Sequence, residues 1–142
     1  MARKIFVNLP VKNLDKSMAF FKKLGFEFNP QFTNENGACM IIAEDSAYAM
    51  LLAEPFFKTF TPKNIADASK TTEVLTALSQ DSRAEVDRLM DVAVKSGGSE
   101  LREAQDLGFM YNRAFNDPDG HIWEIFWMDP AQIPSDPARK PV

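Results

Sequence analysis

Residues 117 to 127, Asp-Pro-Asp-Gly-His-Ile-Trp-Glu-Ile-Phe-Trp, join a tight-turn signal to a stretch of strong strand formers. Pro118 presets φ for a turn, and Gly120 adopts backbone conformations that other residues resist. Isoleucine, tryptophan and phenylalanine suit the pleated, half-buried surface of a sheet. The stretch therefore predicts a turn followed by a strand that starts near His121.

Glu124 is the single carboxylate within that predicted strand. Side chains alternate along a strand, so one face carries Ile122, Glu124 and Phe126, and the other carries His121, Trp123, Ile125 and Trp127. Burial disfavours a charged carboxylate unless a cation or hydrogen-bond donors compensate. Two interpretations of Glu124 follow: a general base in a cleft, or a structural carboxylate held by Arg113 or Tyr111 on the adjacent predicted strand.

Length and charge limit the class of protein. The chain has 142 residues, with 16 Lys and Arg against 20 Asp and Glu, which predicts one domain over residues 1–142. No basic cluster is interleaved with aromatic residues, so nucleic acid and an anionic membrane are not expected as partners. No apolar run after the first residues is long enough for a signal peptide or a membrane span, and we expect a cytoplasmic protein.

The first half of the chain reads as a strand, a helix and three strands. An apolar stretch from Ile5 to Leu9 predicts the first strand, and apolar residues spaced by three and four predict a helix from Asn13 to Leu24. Extended segments follow at 26–33, 38–43 and 47–53, separated by turn-forming residues.

The second half repeats this order. Residues Glu73 to Ser79 alternate as a strand, and Ser82 with Glu85 forms a capping-box signature that opens a helix. Weaker strand candidates at 101–106 and 109–116 precede the strand from His121. A duplicated βαβββ unit follows, with modules at about 1–54 and 73–128, which predicts an α+β fold of two curled mixed sheets around a cleft.

Two segments lie outside the modules. The linker, residues 55–72, is rich in phenylalanine and exceeds an ordinary connection, so it either closes over a ligand or packs onto the other half or a second subunit. The tail, residues 129–142, is rich in proline and predicts an extended arm that Ile133 anchors.

Both ends of this pattern resemble a known family. The first stretch runs from Val7 to Phe26 and reads Val-Asn-Leu-Pro-Val-Lys-Asn-Leu-Asp-Lys-Ser-Met-Ala-Phe-Phe-Lys-Lys-Leu-Gly-Phe. The second runs from Asp117 to Ile125 and reads Asp-Pro-Asp-Gly-His-Ile-Trp-Glu-Ile. Both are similar to signatures of the glyoxalase, bleomycin-resistance and extradiol-dioxygenase superfamily, the vicinal oxygen chelate proteins. The resemblance covers nearly the whole chain. It implies the fold more specifically than the function, because this fold serves isomerases, dioxygenases, epimerases, transferases and drug-sequestering proteins.

The resemblance implies a divalent metal held by one residue from the first and last strand of each half. In this chain the four positions fall at Phe6, at Met50 or Leu51, at Leu75 and at Glu124. Only Glu124 keeps a ligating side chain, which predicts a degenerate site with no cofactor. A shifted register would instead recruit Asn8 and Glu73 beside Glu124, a set that favours magnesium or manganese.

His121 is the only histidine, so the chain cannot supply the two histidines of an extradiol dioxygenase iron site. We expect His121 to cap the turn or pack against Trp123 or Trp127. A shared catalytic dyad with Glu124 is not expected, since the two side chains lie on opposite faces of the strand.

The sequence thus predicts a glyoxalase-like homodimer that binds a small, partly apolar molecule in its cleft. Glu124 is the candidate catalytic residue, and the metal ligand if a metal binds. The expected ligand-binding residues are Phe6, Asn8, Glu73, Leu75, Tyr111 and Phe126. Two alternatives remain open: a metal-dependent lyase or isomerase, such as a lactoylglutathione lyase-like enzyme that uses Glu124, and a bleomycin-resistance-type protein that binds a cationic aromatic drug.

Overall fold

The computed structural model describes residues 2–132, which form an α+β fold with two mixed sheets. Each sheet belongs to one βαβββ module, so the predicted fold class is confirmed. Within residues 2–132, no helix is both long and apolar enough to span a bilayer. The predicted anchor of the tail, Ile133, lies outside the described residues.

The first module has one helix and four strands. They are β1 (Ile5–Val11), α1 (Leu14–Lys23), β2 (Glu27–Asn29), β3 (Gly37–Ala43) and β4 (Ala47–Ala53). The sheet order is β1-β4-β3-β2, with β1 parallel to β4 and the other pairs antiparallel. The extended segment predicted at 26–33 is shorter, because Pro30 starts a 3₁₀ turn that ends β2.

The second module follows the same order. Its elements are β5 (Leu75–Ser79), α3 (Arg83–Lys95), β6 (Ser99–Glu100), β7 (Gln105–Asp106), β8 (Met110–Asn116) and β9 (Ile122–Met128). The sheet order is β5-β9-β8-β6, β7 also pairs with β8, and β5 is parallel to β9. Two predictions are corrected: Glu73 precedes the strand β5, and the segment predicted at 101–106 is extended only at Gln105–Asp106, after a break that follows β6.

Both predicted helices are confirmed, and both begin with a side-chain cap. The Asn13 side chain accepts a hydrogen bond from the Lys16 amide at 3.0 Å. Ser82 Oγ likewise accepts from the Glu85 amide at 3.1 Å. These caps satisfy amides that have no partner inside a helix, so they fix where α1 and α3 start.

The hydrophobic core lies between the modules, where α1 packs against the second sheet. The rings of Phe20 and Phe115 are 5.8 Å apart, and those of Phe21 and Trp123 are 5.1 Å apart. One cluster of buried side chains from both modules contains these four residues. Each sheet therefore turns one face towards the shared core.

The other side of each sheet, opposite its helix, is called the helix-free face. On the first sheet it carries Phe6, Asn8, Pro10, Cys39, Ile41, Tyr48, Met50 and Leu52; on the second it carries Leu75, Ala77, Ser79, Met110, Asn112, Ala114, Asn116, Ile122, Glu124, Phe126 and Met128. Phe6 is 50% exposed and Leu75 is 52% exposed. Within one chain both helix-free faces are open to solvent at these positions.

The connection between the modules is partly helical. It begins with α2 (Glu54–Phe57) and a 3₁₀ turn, Lys58–Phe60. Its later residues lie over a cavity of about 350 Å³ between β1 and the turn at 117–120.

Candidate functional site

The candidate site is centred on Glu124, because β9 places this carboxylate at the middle of the second sheet. In the sheet register Glu124 lies opposite Ala114 on β8 and beside Ala77 on β5. Its neighbours Trp123 and Ile125 are 0% and 2% exposed in the core, whereas the Glu124 side chain is 17% exposed. The predicted alternation is confirmed, and Glu124 lies on the helix-free face between two small side chains.

The partner of Glu124 is Arg102, which the sequence analysis did not identify. Arg102 Nη2 donates a hydrogen bond to Glu124 Oε2, and the two side chains are 30% and 17% exposed. Arg102 lies in the break between β6 and β7, just after Leu101, whose amide donates to the Ala114 carbonyl at 2.9 Å. That bond holds the break beside the strand residue that faces Glu124.

The prediction that Arg113 or Tyr111 is the partner of Glu124 is wrong, because the strand register places both residues on the opposite side of the sheet. Tyr111 lies opposite Trp127 and Arg113 opposite Ile125, so both are on the core side of the sheet. Tyr111 is thus separated from the other predicted ligand-binding residues on the helix-free face. A buried carboxylate needs a cation or hydrogen-bond donors beside it, and this was the only sequence signal for a partner of Glu124. The signal does not identify which arginine is the partner.

Tyr111 and Arg113 instead bind α3. Tyr111 Oη donates to Asp87 Oδ1 at 2.7 Å, and Arg113 Nη1 donates to the same oxygen at 2.9 Å. The Tyr111 hydrogen bond lowers the pKa of Asp87 and raises the pKa of Tyr111. This network stabilises the packing of α3 on the second sheet.

Asn112 is a second polar residue that the sequence analysis missed on this face. It lies opposite Phe126 and is 8% exposed. Within residues 2–132, Asn112 Oδ1 and Arg102 Nε are buried without a hydrogen-bond partner. Because a buried polar atom is normally paired, these two atoms mark a polar spot on this face. The strand register places Ala77 beside Glu124, and Ser79 and Asn112 beside Phe126.

The four positions that the family resemblance implies for a metal do not fit one. Phe6, Met50 and Leu75 offer no hard donor atom, and Leu51 is buried in the core, which leaves Met50 as the second position. Arg102 already provides the positive charge beside Glu124. Among residues 2–132, no group of three His, Cys, Asp or Glu side chains is arranged to hold a metal ion.

The alternative metal ligands of the shifted register, Asn8, Glu73 and Glu124, do not line one cavity. Asn8 and Glu73 line the cavity of about 350 Å³ under the linker, and Glu124 does not. His121 also lines that cavity, and its Nε2 lies 2.7 Å from the Pro10 carbonyl oxygen. A larger groove, about 700 Å³, lies between the loop after α1 and the end of β5, and no predicted site residue lines it.

The turn at residues 117–120 joins the two modules. Asp117 Oδ1 accepts hydrogen bonds from the amides of Asp119 and His121 at 2.9 and 3.0 Å, and its Oδ2 accepts from Trp123 Nε1 at 3.0 Å. Asp119 Oδ1 then accepts from the Lys12 amide at 2.8 Å. The signature is thus explained by structure: it fixes the start of β9 and connects it to the first module.

Comparisons with known proteins agree with this architecture. Residues 3–43 match the family model described as bleomycin resistance protein-like N-terminal. The comparison with curated proteins gives no match. Among solved structures, a hypothetical protein from S. aureus is 24% identical over 89% of this chain and 94% of that chain, with a TM-score of 0.75.

Two further structures carry family names. A glyoxalase-related enzyme from Fulvimarina pelagi is 23% identical over 89% of this chain and 88% of that chain, with a TM-score of 0.73. A glyoxalase/bleomycin resistance protein/dioxygenase family enzyme from Burkholderia phytofirmans is 15% identical over 87% of this chain and 96% of that chain, with a TM-score of 0.71. The chain therefore has the fold of the glyoxalase/bleomycin resistance/dioxygenase superfamily, as its two sequence signatures predicted.

Proposed function

We propose that this protein is a metal-independent, homodimeric binding protein for a small, partly apolar molecule. The observation that carries the proposal is the Arg102–Glu124 pair on the helix-free face of the second sheet. The pair lies where the family resemblance implies a metal ligand, and the side chains directly beside Glu124 in the sheet are the small, apolar Ala77 and Ala114. A site with one ion pair and an apolar rim suits a small organic ligand.

The residues at the implied metal positions support metal-independent binding. Phe6, Met50 and Leu75 supply none of the hard ligands that a divalent cation needs. Arg102 bonds one oxygen of Glu124 and places a positive charge beside the carboxylate, which opposes the binding of a metal cation there. The lyase or isomerase alternative has no comparable observation in its favour.

The homodimer is supported by the exposed apolar side chains at the start of two edge strands. Ile5 and Phe6 on β1 are 58% and 50% exposed, and Val74 and Leu75 at β5 are 57% and 52% exposed. Open edges and apolar patches of this kind favour association. A two-fold axis that sets the first helix-free face of one copy against the second face of the other would create two equal clefts.

The oligomer can be tested with one variant and a matched control. Phe6→Glu introduces a charge on the proposed contact face and should convert the dimer to a monomer in light scattering after size exclusion. Val94→Glu, at a position 48% exposed on α3, should remain dimeric. A wild-type protein that is monomeric at micromolar concentration would contradict the dimer.

Metal content and binding are tested on the same full-length protein. Elemental analysis should find no stoichiometric divalent metal, and a chelator should change neither the melting temperature nor the binding of small aromatic compounds. Amide chemical-shift changes caused by those compounds should cluster around Glu124 and Phe126. A metal bound once per chain and required for binding would overturn the metal-independent proposal, and shift changes confined to the linker cavity would overturn the site.

A further inference from the structure

We propose that the cavity under the linker is a second ligand site, which takes a small neutral aliphatic molecule such as an alcohol. The cavity has a volume of about 350 Å³, at the lower end of the range for small-molecule sites. Glu124, Arg102 and Asn112 do not line it, so this site is independent of the function proposed for the helix-free face. Three features support it: the way the linker is held, the chemistry of the lining and the balance of charges around the cavity.

The linker forms a folded roof over this cavity. Asp67 Oδ1 accepts hydrogen bonds from the amide and the hydroxyl of Ser69, at 3.0 and 2.6 Å. The Asp67 carbonyl accepts from the amides of Lys70 and Thr71, each at 3.0 Å. This part of the linker lies so close to the turn before β9 that a Cβ at Gly120 would be 2.8 Å from the Ser69 nitrogen. The roof is thus held in place by the protein itself, so a ligand has little of it to order on binding.

The lining of the cavity is mostly apolar. Aliphatic side chains reach it from both modules and from the linker: Leu9 on β1, Ile122 on β9 and Ile65 between them. All three residues are partly exposed, so a molecule that enters the cavity can contact them. Because burial of hydrocarbon stabilises a complex in proportion to the area removed from water, an aliphatic body suits this lining.

Neutral polar side chains complete the lining. Asn8, Asn64 and Thr72 are exposed, and Thr76 is partly exposed. Amide and hydroxyl side chains both donate and accept hydrogen bonds. A hydroxyl group on the ligand does the same, so it can pair with any of these side chains.

The charges around the cavity favour a neutral ligand. Lys63 and Glu73 line it with opposite charges, and both residues are exposed and keep their hydration. A carboxylate or an ammonium group in the cavity would lose water against a mostly apolar lining, and these two side chains offer it no net opposite charge. That loss of hydration is costly for an ion and small for an alcohol.

His121 provides a direct reporter of this site. It lines the cavity, and its Nε2 lies 2.7 Å from the Pro10 carbonyl oxygen. Since a carbonyl oxygen only accepts hydrogen bonds, Nε2 carries the hydrogen and donates it, which fixes the orientation of the ring. The chain has one histidine, so the ring gives a single set of magnetic resonance signals. A molecule bound in the cavity should shift those signals.

Three matched probes test the site: cyclohexanol, cyclohexanecarboxylate and cyclohexylammonium, which share an aliphatic ring and differ in the polar group. Titration of the full-length wild type is followed by the His121 ring signals and by amide chemical shifts. Cyclohexanol should shift the His121 ring and the amides of Ile65 and Ile122, and bind at least about fivefold more tightly than either ion. Equal or tighter binding of an ion would overturn the neutral class of ligand. Absence of any shift at these residues with all three probes would overturn the site.

Variants that change the volume and the lining of the cavity locate the binding. Ala68 lines the cavity and is partly exposed, so Ala68→Leu should fill part of the space and weaken cyclohexanol binding at least about fivefold. The matched control Ala84→Leu makes the same change at an exposed position on α3 that does not line the cavity, and it should bind cyclohexanol as the wild type does.

Ile65→Ala gives a second measurement that holds even if Ala68→Leu does not fold. It removes part of the aliphatic lining and should weaken cyclohexanol binding roughly threefold or more. Wild-type affinity in folded Ile65→Ala would overturn the site. These results do not depend on whether aromatic compounds bind around Glu124, so failure of this site and failure of the proposed function are distinguishable.

Discussion

Ser17 Oγ on α1 donates a hydrogen bond to Asp119 Oδ2 at 3.1 Å, and this bond crosses the contact between the two modules. The other oxygen of Asp119 accepts from the Lys12 amide at 2.8 Å. Asp119 is thus the point at which the turn before β9 holds the start of α1. Since Ser17 is 2% exposed, its hydroxyl has no ready replacement from water.

We therefore expect Asp119→Ala to lower the free energy of unfolding by about 1–2 kcal/mol. Chemical denaturation measures this change. Asp91→Ala removes an exposed carboxylate on α3 and should change stability by less than about 0.5 kcal/mol. A double variant with Ser17→Ala should be less destabilised than the sum of the single variants; strict additivity would show that the two residues do not interact.

The Arg102–Glu124 pair should be coupled in stability. Each single replacement, Arg102→Gln or Glu124→Gln, leaves a partly buried charge without its partner and should cost about 1–2 kcal/mol. The double variant leaves two neutral amides, which should restore part of that loss. A double-mutant cycle in urea measures the coupling, and a coupling energy near zero would argue against a close pair.

Gly120 should tolerate substitution poorly for two reasons. Its φ is +94°, and a Cβ there would lie 2.8 Å from the Ser69 amide nitrogen and 2.9 Å from the Ala68 carbonyl oxygen. Gly25 is the matched control, because its φ is +100° and a Cβ there meets no atom within 4 Å. Gly25→Ala should cost about 1–2 kcal/mol from backbone strain alone.

Gly120→Ala should cost at least about 1 kcal/mol more than Gly25→Ala, since the linker backbone must also move. Thermal unfolding of the two variants side by side gives the comparison. Equal melting temperatures would mean that the linker does not pack against the turn in solution.

The pair of Arg83 and Asp106 predicts a pH dependence. Arg83 donates two hydrogen bonds of 2.8 Å to the Asp106 carboxylate, and these bonds lower the pKa of Asp106 to about 2. A carboxyl whose pKa is depressed by folding stabilises the protein above its ordinary pKa, and this contribution is lost as pH falls through the folded-state pKa.

The difference in stability between wild type and Asp106→Asn should therefore be constant near neutral pH and shrink as pH falls from about 4 to about 2. The effect should be small and salt-sensitive, because the pair is exposed. Denaturation at a series of pH values measures it, with Asp91→Asn as the control. A difference that grows on acidification would contradict the pairing.

Local sequence signals determined much of this fold. The three- and four-residue spacing of apolar side chains predicted α1, and the capping-box signature at Ser82 predicted where α3 starts. The alternation around Glu124 predicted which residues of β9 share a face. These signals act between residues close in the chain, so they can be read without knowing the packing.

Only the tertiary structure decided which charged residue meets Glu124 and where the polar spot lies. Arg102 is 22 positions away from Glu124 in the chain, and it reaches the carboxylate because the strand before β8 breaks and its backbone binds Ala114. Arg113 was the nearer candidate, but the register of β8 turns it towards α3. The sequence thus determined that Glu124 lies on one face of a strand, while packing between distant segments decided its partner, because register and strand breaks depend on contacts that local patterns do not encode.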